Sequence, residues 1–311
     1  GARPDVTQFT TTYGPLIVIA TVVLPAFIAA WVAKQKRDGT NVITAAPGVG
    51  AGHTVKFTDH LYRALVLPLV EFVGRMGWSL VLILALVLTY RICDSIWGVF
   101  AYPFYLGELN YTGDEVAFAS KFFGVFAIIL GLALGGWIIT VMGRMFTLTL
   151  GAALAAATNL LYADLAIGGG TMQAASDAIG FTALVNFIAG VFQMPESEGL
   201  ARLTFTIFWE NLAIGIAGAA YIAWLSSIVA KRYAAVQYAL LASLTLLVGT
   251  LGRGALGQMI EDRGYYFVFI FTALIGIVAV VLCILEWIRE SRSKLAAGIV
   301  APEAGEALPA E

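Results

Sequence analysis

Val116-Ala117-Phe118-Ala119-Ser120-Lys121-Phe122-Phe123-Gly124-Val125-Phe126-Ala127-Ile128-Ile129-Leu130-Gly131-Leu132-Ala133-Leu134-Gly135-Gly136-Trp137-Ile138-Ile139-Thr140-Val141 carries a single charge, Lys121, among apolar and small residues. A helix needs roughly 20 apolar residues to cross a hydrocarbon layer ~30 Å thick. The run is long enough and does not alternate as a barrel strand would, so it reads as a helix that satisfies its own backbone in lipid. Further spans are expected at Gly14–Ala33, Trp78–Tyr102, Phe146–Ala166, Leu203–Ala230, Ala234–Ile260 and Tyr266–Ile288. The fold class is all-α integral membrane.

Composition agrees. Of the 311 residues, 60% are hydrophobic and only 12% charged, about half the ~25% charged content of soluble domains. Mean hydropathy is +0.87. So few charges could not cover a soluble core of this size. The net charge of -2, with basic residues in small scattered groups, gives no basis for nucleic-acid binding. Cys93 and Cys283 lie in apolar runs, where thiols pack as small hydrophobes. His53 and His60 stand in a polar linker without partners for a metal. No cofactor motif, nucleophile–base pair or metal cluster is visible in the spans, so no enzymatic role is expected. The chain opens Gly1-Ala2-Arg3-Pro4 without methionine or signal peptide, and is expected to be a piece of something longer.

The apolar run Ala178–Phe192 contains Asn186 and ends at Gln193-Met194-Pro195-Glu196, which suits a re-entrant or interfacial helix better than a span. Charge counting agrees. If the run does not cross, Lys34, Lys36, Arg37, Lys56, Arg63, Arg75, Arg144, Lys231, Arg232, Arg289, Arg292 and Lys294 share one side. The positive-inside rule makes that side cytoplasmic. The expected organisation is an outer segment with one span over 1–33 and a cytoplasmic linker with an amphipathic helix over 34–77. A six-helix bundle over 78–288 and a cytoplasmic tail over 289–311 complete it.

Charged residues inside membrane helices cost at least a few kcal/mol, so each asks for a partner or a task. Arg91, Asp94, Lys121 and Glu210 are four such residues. At ~1.5 Å per residue, Arg91 lies ~20 Å and Asp94 ~24 Å from the cytoplasmic entry at Trp78. Lys121 and Glu210 lie ~8 and ~10 Å below the outer surface. All four fall in one layer of the outer half of the membrane. They read either as static Arg91–Asp94 and Lys121–Glu210 pairs, or as carboxylates that exchange protons while the cations hold an anionic solute. Tyr90, Asn159 and Asn211 extend the layer, and Gln237 sits nearer the cytoplasmic end of its span. Asn159 and Gln237 are equally readable as interhelical glue.

The chain resembles the AmpG-type muropeptide permeases of the major facilitator superfamily from the linker to about Arg292. The blocks that carry the likeness are Leu69-Val70-Glu71-Phe72-Val73-Gly74-Arg75, Tyr90-Arg91-Ile92-Cys93-Asp94-Ser95, and Glu115 through Gly136 with Lys121-Phe122-Phe123-Gly124 inside it. Two more are Glu210-Asn211-Leu212 with Gly215 and Gly218-Ala219-Ala220, and Ala234-Ala235-Val236-Gln237-Tyr238-Ala239-Leu240-Leu241. The resemblance implies a parent with two six-helix halves, residues 14–33 ending the first half and the six later spans forming the second. The remainder of the N-terminal half would then be a missing partner. It further implies proton-coupled import of anhydro-muropeptides across a bacterial inner membrane for cell-wall recycling. A facilitator for another solute (sugar, peptide or drug) shares the architecture, and a membrane-embedded enzyme or assembly subunit is the alternative from a different class. The chain departs from the family at Arg253-Gly254, where Gly-Pro is common. It also departs in the long stretch 168–199, and in the turn 136–144, which lacks an aspartate.

Overall fold

The computed structural model describes residues 67–92, 98–194, 197 and 199–300. Gly14–Ala33, most of the linker, and Asp94 lie outside these. Among the described residues the chain is helical and without strands, as an all-α membrane protein requires. Helix α1 (Leu67–Met76) meets α2 (Ser79–Thr89) at an angle of 111°. A π-helical segment, Pro103–Glu108, follows. Helix α3 (Gly113–Met142) contains a second π-wound stretch at Phe118–Gly124, and α4 (Arg144–Ala166) returns. Two short helices, α5 (Gly170–Ala178) and α6 (Phe181–Val191), meet at 88°. Helix α7 (Leu200–Ile228) precedes the long helical run α8 (Ala234–Val300).

Among the described residues four helices are long and apolar enough to cross a membrane, six if each bent pair counts as one span. The expected spans at 234–260 and 266–288 form one helical run broken at Gly264, whose φ of 78° and ψ of 169° are not helical. Leu241 before the break and Cys283 after it share one buried cluster. A straight helix would hold them ~60 Å apart, so the chain doubles back at the glycine. Of the expected span 78–102, α2 covers Ser79–Thr89 and the chain is π-wound from Pro103, while residues 93–97 lie outside the described residues.

Helix α7 is the hub. Lipid supplies little hydrophobic drive between helices, so association rests on close packing of small residues. A Cβ on Gly215 would lie 2.5 Å from the Ile128 carbonyl oxygen and 2.8 Å from the Gly131 backbone, so α3 and α7 touch main chain to main chain. On the α4 side, a Cβ on Gly151 would lie 2.7 Å from both Ala217 Cα and the Tyr90 hydroxyl. Tyr90, Leu148, Ala217, Tyr221 and Trp224 close the core there. Thermal unfolding of the purified protein in detergent tests this seam. Gly215→Ala should destabilise by about 1–3 kcal/mol, the range for overpacking. Gly136→Ala, facing open space on α3, should leave the transition unchanged or raise it.

Candidate functional site

Glu210 is half-buried on α7. Its Oε2 accepts a hydrogen bond from the Tyr162 hydroxyl of α4. Tyr162 in turn shares a 2.7 Å hydrogen bond with Tyr105 of the π-helical segment. One carboxylate and two phenols thus link three elements in series. Both tyrosines are buried among Phe104, Val116, Leu203, Ile207 and Phe269. Tyr162 stacks on Phe269 at 5.3 Å between ring centres. In so apolar a setting a hydrogen bond to a charged oxygen is worth about 1.5–3 kcal/mol.

The remaining sequence candidates divide by what their polar atoms do. Asn159 accepts from Thr272 Oγ1 at 3.0 Å and donates to the Ala155 carbonyl at 2.9 Å, joining α4 to α8. The Tyr90 hydroxyl reaches the carbonyls of Leu148 (3.1 Å) and Ala217 (3.3 Å), and its ring stacks on Tyr221. Gln237 donates to Glu71 Oε2 at 2.6 Å and to the Pro68 carbonyl at 2.8 Å, while its Oε1 accepts from Ala230 N at 2.7 Å. Glu71 also accepts from Arg75, which donates to the Ile228 carbonyl at 2.7 Å. Gln237 therefore docks α1 onto the α7–α8 corner, far from Glu210. These three side chains hold helices together.

Arg91, Asn211 and Lys121 are not enclosed. Arg91 and Asn211 are half-buried and Lys121 is exposed. Asn211 donates to the Ile207 carbonyl of its own helix at 2.8 Å. The ion pairs among the described residues join Arg75 to Glu71, Arg144 to Glu290 and Arg289 to Glu286. The Lys121–Glu210 pair of the static reading is not among them. Lys121 sits on the π-wound stretch, where five-residue bonding alters the face a side chain occupies, so depth alone did not fix its direction.

Tyr105, Tyr162 and Thr272 were missed. Tyrosine in a membrane sequence ordinarily reads as an interfacial anchor. One signal was available for Tyr162, which stands three residues after Asn159 and so shares its helix face. Nearer the loops, Arg202 ties Tyr111 (3.3 Å) to the Gly168 carbonyl (2.8 Å). Burial pushes the Tyr111 phenol above its ordinary value, with the Arg202 hydrogen bond opposing. Among the described residues no group of three or more His, Cys, Asp or Glu could hold a metal ion.

Helices long and apolar enough to cross a membrane, with a half-buried carboxylate on α7, define a helical membrane protein. The chain is, more particularly, similar to AmpG-type permeases. It is 27% identical to putative transporter AmpG 1 of Rickettsia prowazekii over 203 residues, 65% of this chain and 39% of that protein. It is 26% identical to putative transporter AmpG 4 of Rickettsia felis over 216 residues, 70% of this chain and 45% of the relative. Against the anhydromuropeptide permease of Escherichia coli K12, identity is 23% over 270 residues, 86% of this chain and 46% of the permease. The chain thus spans less than half the length of these curated relatives. They are named transporters and a permease, not enzymes. No family model matches the chain.

A double-mutant cycle tests the Tyr162–Glu210 link. Tyr162→Phe and Glu210→Gln should each lower unfolding stability, and the pair should lower it by less than their sum, with a coupling of about 1.5–3 kcal/mol. Additive losses would mean that the two side chains act separately.

Proposed function

We propose that this chain is the C-terminal part of a proton-coupled importer of anhydro-muropeptides in a bacterial inner membrane. The observation that carries the reading is the similarity to the anhydromuropeptide permease over 86% of this chain. The linker and the C-terminal tail lie on the cytoplasmic side, as the distribution of lysine and arginine requires. Transport needs a matching N-terminal half, because a carrier moves solute by rocking one bundle against the other.

In this mechanism Glu210 and Asp94 carry the proton. A carboxylate in a low-dielectric layer with a hydrogen-bonding partner is the kind of group whose protonation can follow the gradient. The Tyr162 hydroxyl donates to Glu210, and protonation of the carboxylate removes the charge that strengthens that bond. Arg91 and Lys121 are the cations that meet the anionic solute, and Asn211 is a further polar group of the network. Tyr90, Asn159 and Gln237 keep the frame and do not touch the solute.

The test is uptake of labelled anhydro-muropeptide by cells that lack their own permease and express the full-length parent, with and without a proton ionophore. Uptake should collapse with the ionophore. Asp94→Asn and Glu210→Gln should each insert normally yet lose pH-dependent uptake, and Lys121→Ala should raise the half-saturating concentration. This chain alone should give no uptake. Wild-type proton coupling in both carboxylate variants would sink the assignment of the proton, and absence of uptake by the inserted parent would sink the substrate.

A further inference from the structure

The excursion between α4 and α7 begins and ends at one end of the bundle. At its start, Asp164 accepts from the Met172 backbone at 2.9 Å, which fastens α5 to the end of α4. Across its mouth, Arg202 on the first turn of α7 donates to the Gly168 carbonyl at 2.8 Å. Farther along, Val185 and Ala189 of α6 pack in one buried cluster with Leu200 and Ala201, again the first turn of α7, and with Phe118 and Phe123 of α3. An element pinned at both ends to the same layer cannot cross. Its length agrees, because α6 is ~16 Å long, about half of the ~30 Å hydrocarbon layer.

Helix α6 is two-faced. While Val185 and Ala189 are enclosed, Leu184, Phe187 and Val191 stand 48%, 71% and 67% exposed on the opposite side. This apolar stripe continues onto α3, because Phe192 meets Phe122 at 5.5 Å between ring centres, and Phe122, Phe126 and Ile129 form the outer face of that span. Helix α5 is different in character. Gln173 donates to Asp177 at 2.9 Å, and Ser176 and Thr182 share a 2.8 Å hydrogen bond across the elbow. A polar helix and an apolar helix at nearly a right angle suit a boundary between water and hydrocarbon. A re-entrant loop would instead bury its irregular backbone inside protein, whereas Ile179 and Gly180 at the elbow are exposed.

The geometry points to α6 as an interfacial helix whose outer stripe is seated among the upper acyl chains of the leaflet at that face, with the α5 end in water. The occupant is lipid, as continuity with the outer face of α3 requires. Such helices sink their apolar face about 5–10 Å into the headgroup–acyl boundary. The inference uses the membrane class alone and does not depend on the transported solute.

Labels placed one at a time test it in vesicles. A Cys93→Ser background that keeps the buried Cys283 would receive Phe187→Cys, Val191→Cys or Asp177→Cys and an environment-sensitive fluorophore, with the unsubstituted background subtracted. The labels at 187 and 191 should lose more emission to lipids brominated high on the acyl chain than to lipids brominated near its end, and little to aqueous iodide. The label at 177 should behave in the opposite way, losing emission to iodide. Strongest loss to tail-brominated lipid at 187 and 191 would overturn the inference in favour of a deep re-entrant helix. No loss to either lipid would overturn it in favour of a protein cover, and strong iodide loss in favour of water. Positions 187 and 191 lie outside the core, so these substitutions spare the packing of Val185 and Ala189.

Discussion

The main-chain contact between α3 and α7 at Gly131 and Gly215 is the constraint on which the rest of the bundle depends. A helix pressed against its neighbour without intervening side chains cannot rotate about its axis without a clash. That fixes the direction of every residue on α7. Glu210 lies five residues before Gly215, so it points about 140° around the helix from the seam, away from α3. Tyr162 of α4 meets it there. The carboxylate is thus aimed by glycine packing well outside its own hydrogen bond.

Polar residues in the bundle serve two distinct ends. Asn159 with Thr272, Tyr90 with two carbonyls, and Gln237 with α1 spend their hydrogen-bonding atoms inside the protein. In lipid such bonds add modest stability, and their greater effect is to fix which helices meet and in what register. The Glu210–Tyr162–Tyr105 series is different, since it ends in an ionisable group that is only half enclosed. Burial and the destination of the hydrogen bonds, rather than residue type, distinguish these two groups.

Much of the fold could be read from the sequence because lipid demands long apolar runs. Those at 116–141, 146–166 and 203–230 match α3, α4 and α7 to within a few residues. Less could be read where the backbone departs from regular winding. The π-wound stretch around Lys121 and the π segment carrying Tyr105 have no signature in hydropathy, yet they decide where those side chains go. Glu210 was legible from the cost of a charge in lipid, whereas its partners were not, since a tyrosine in a membrane sequence has an ordinary reading as an anchor. Asp94 and the span at 14–33 fall outside the described residues.

The docking of α1 on the α7–α8 corner bears on how such a sequence can drift. Three of its hydrogen bonds end on main-chain groups, namely the carbonyls of Ile228 and Pro68 and the amide of Ala230. Substitution cannot remove a carbonyl, and only proline removes an amide. Side-chain changes at Ile228, and at Ala230 to anything but proline, therefore leave these partners in place, while Glu71, Arg75 and Gln237 cannot change without undoing the joint. Selection on this corner falls on Glu71 and Arg75, one turn apart on α1, and on Gln237 far along the chain.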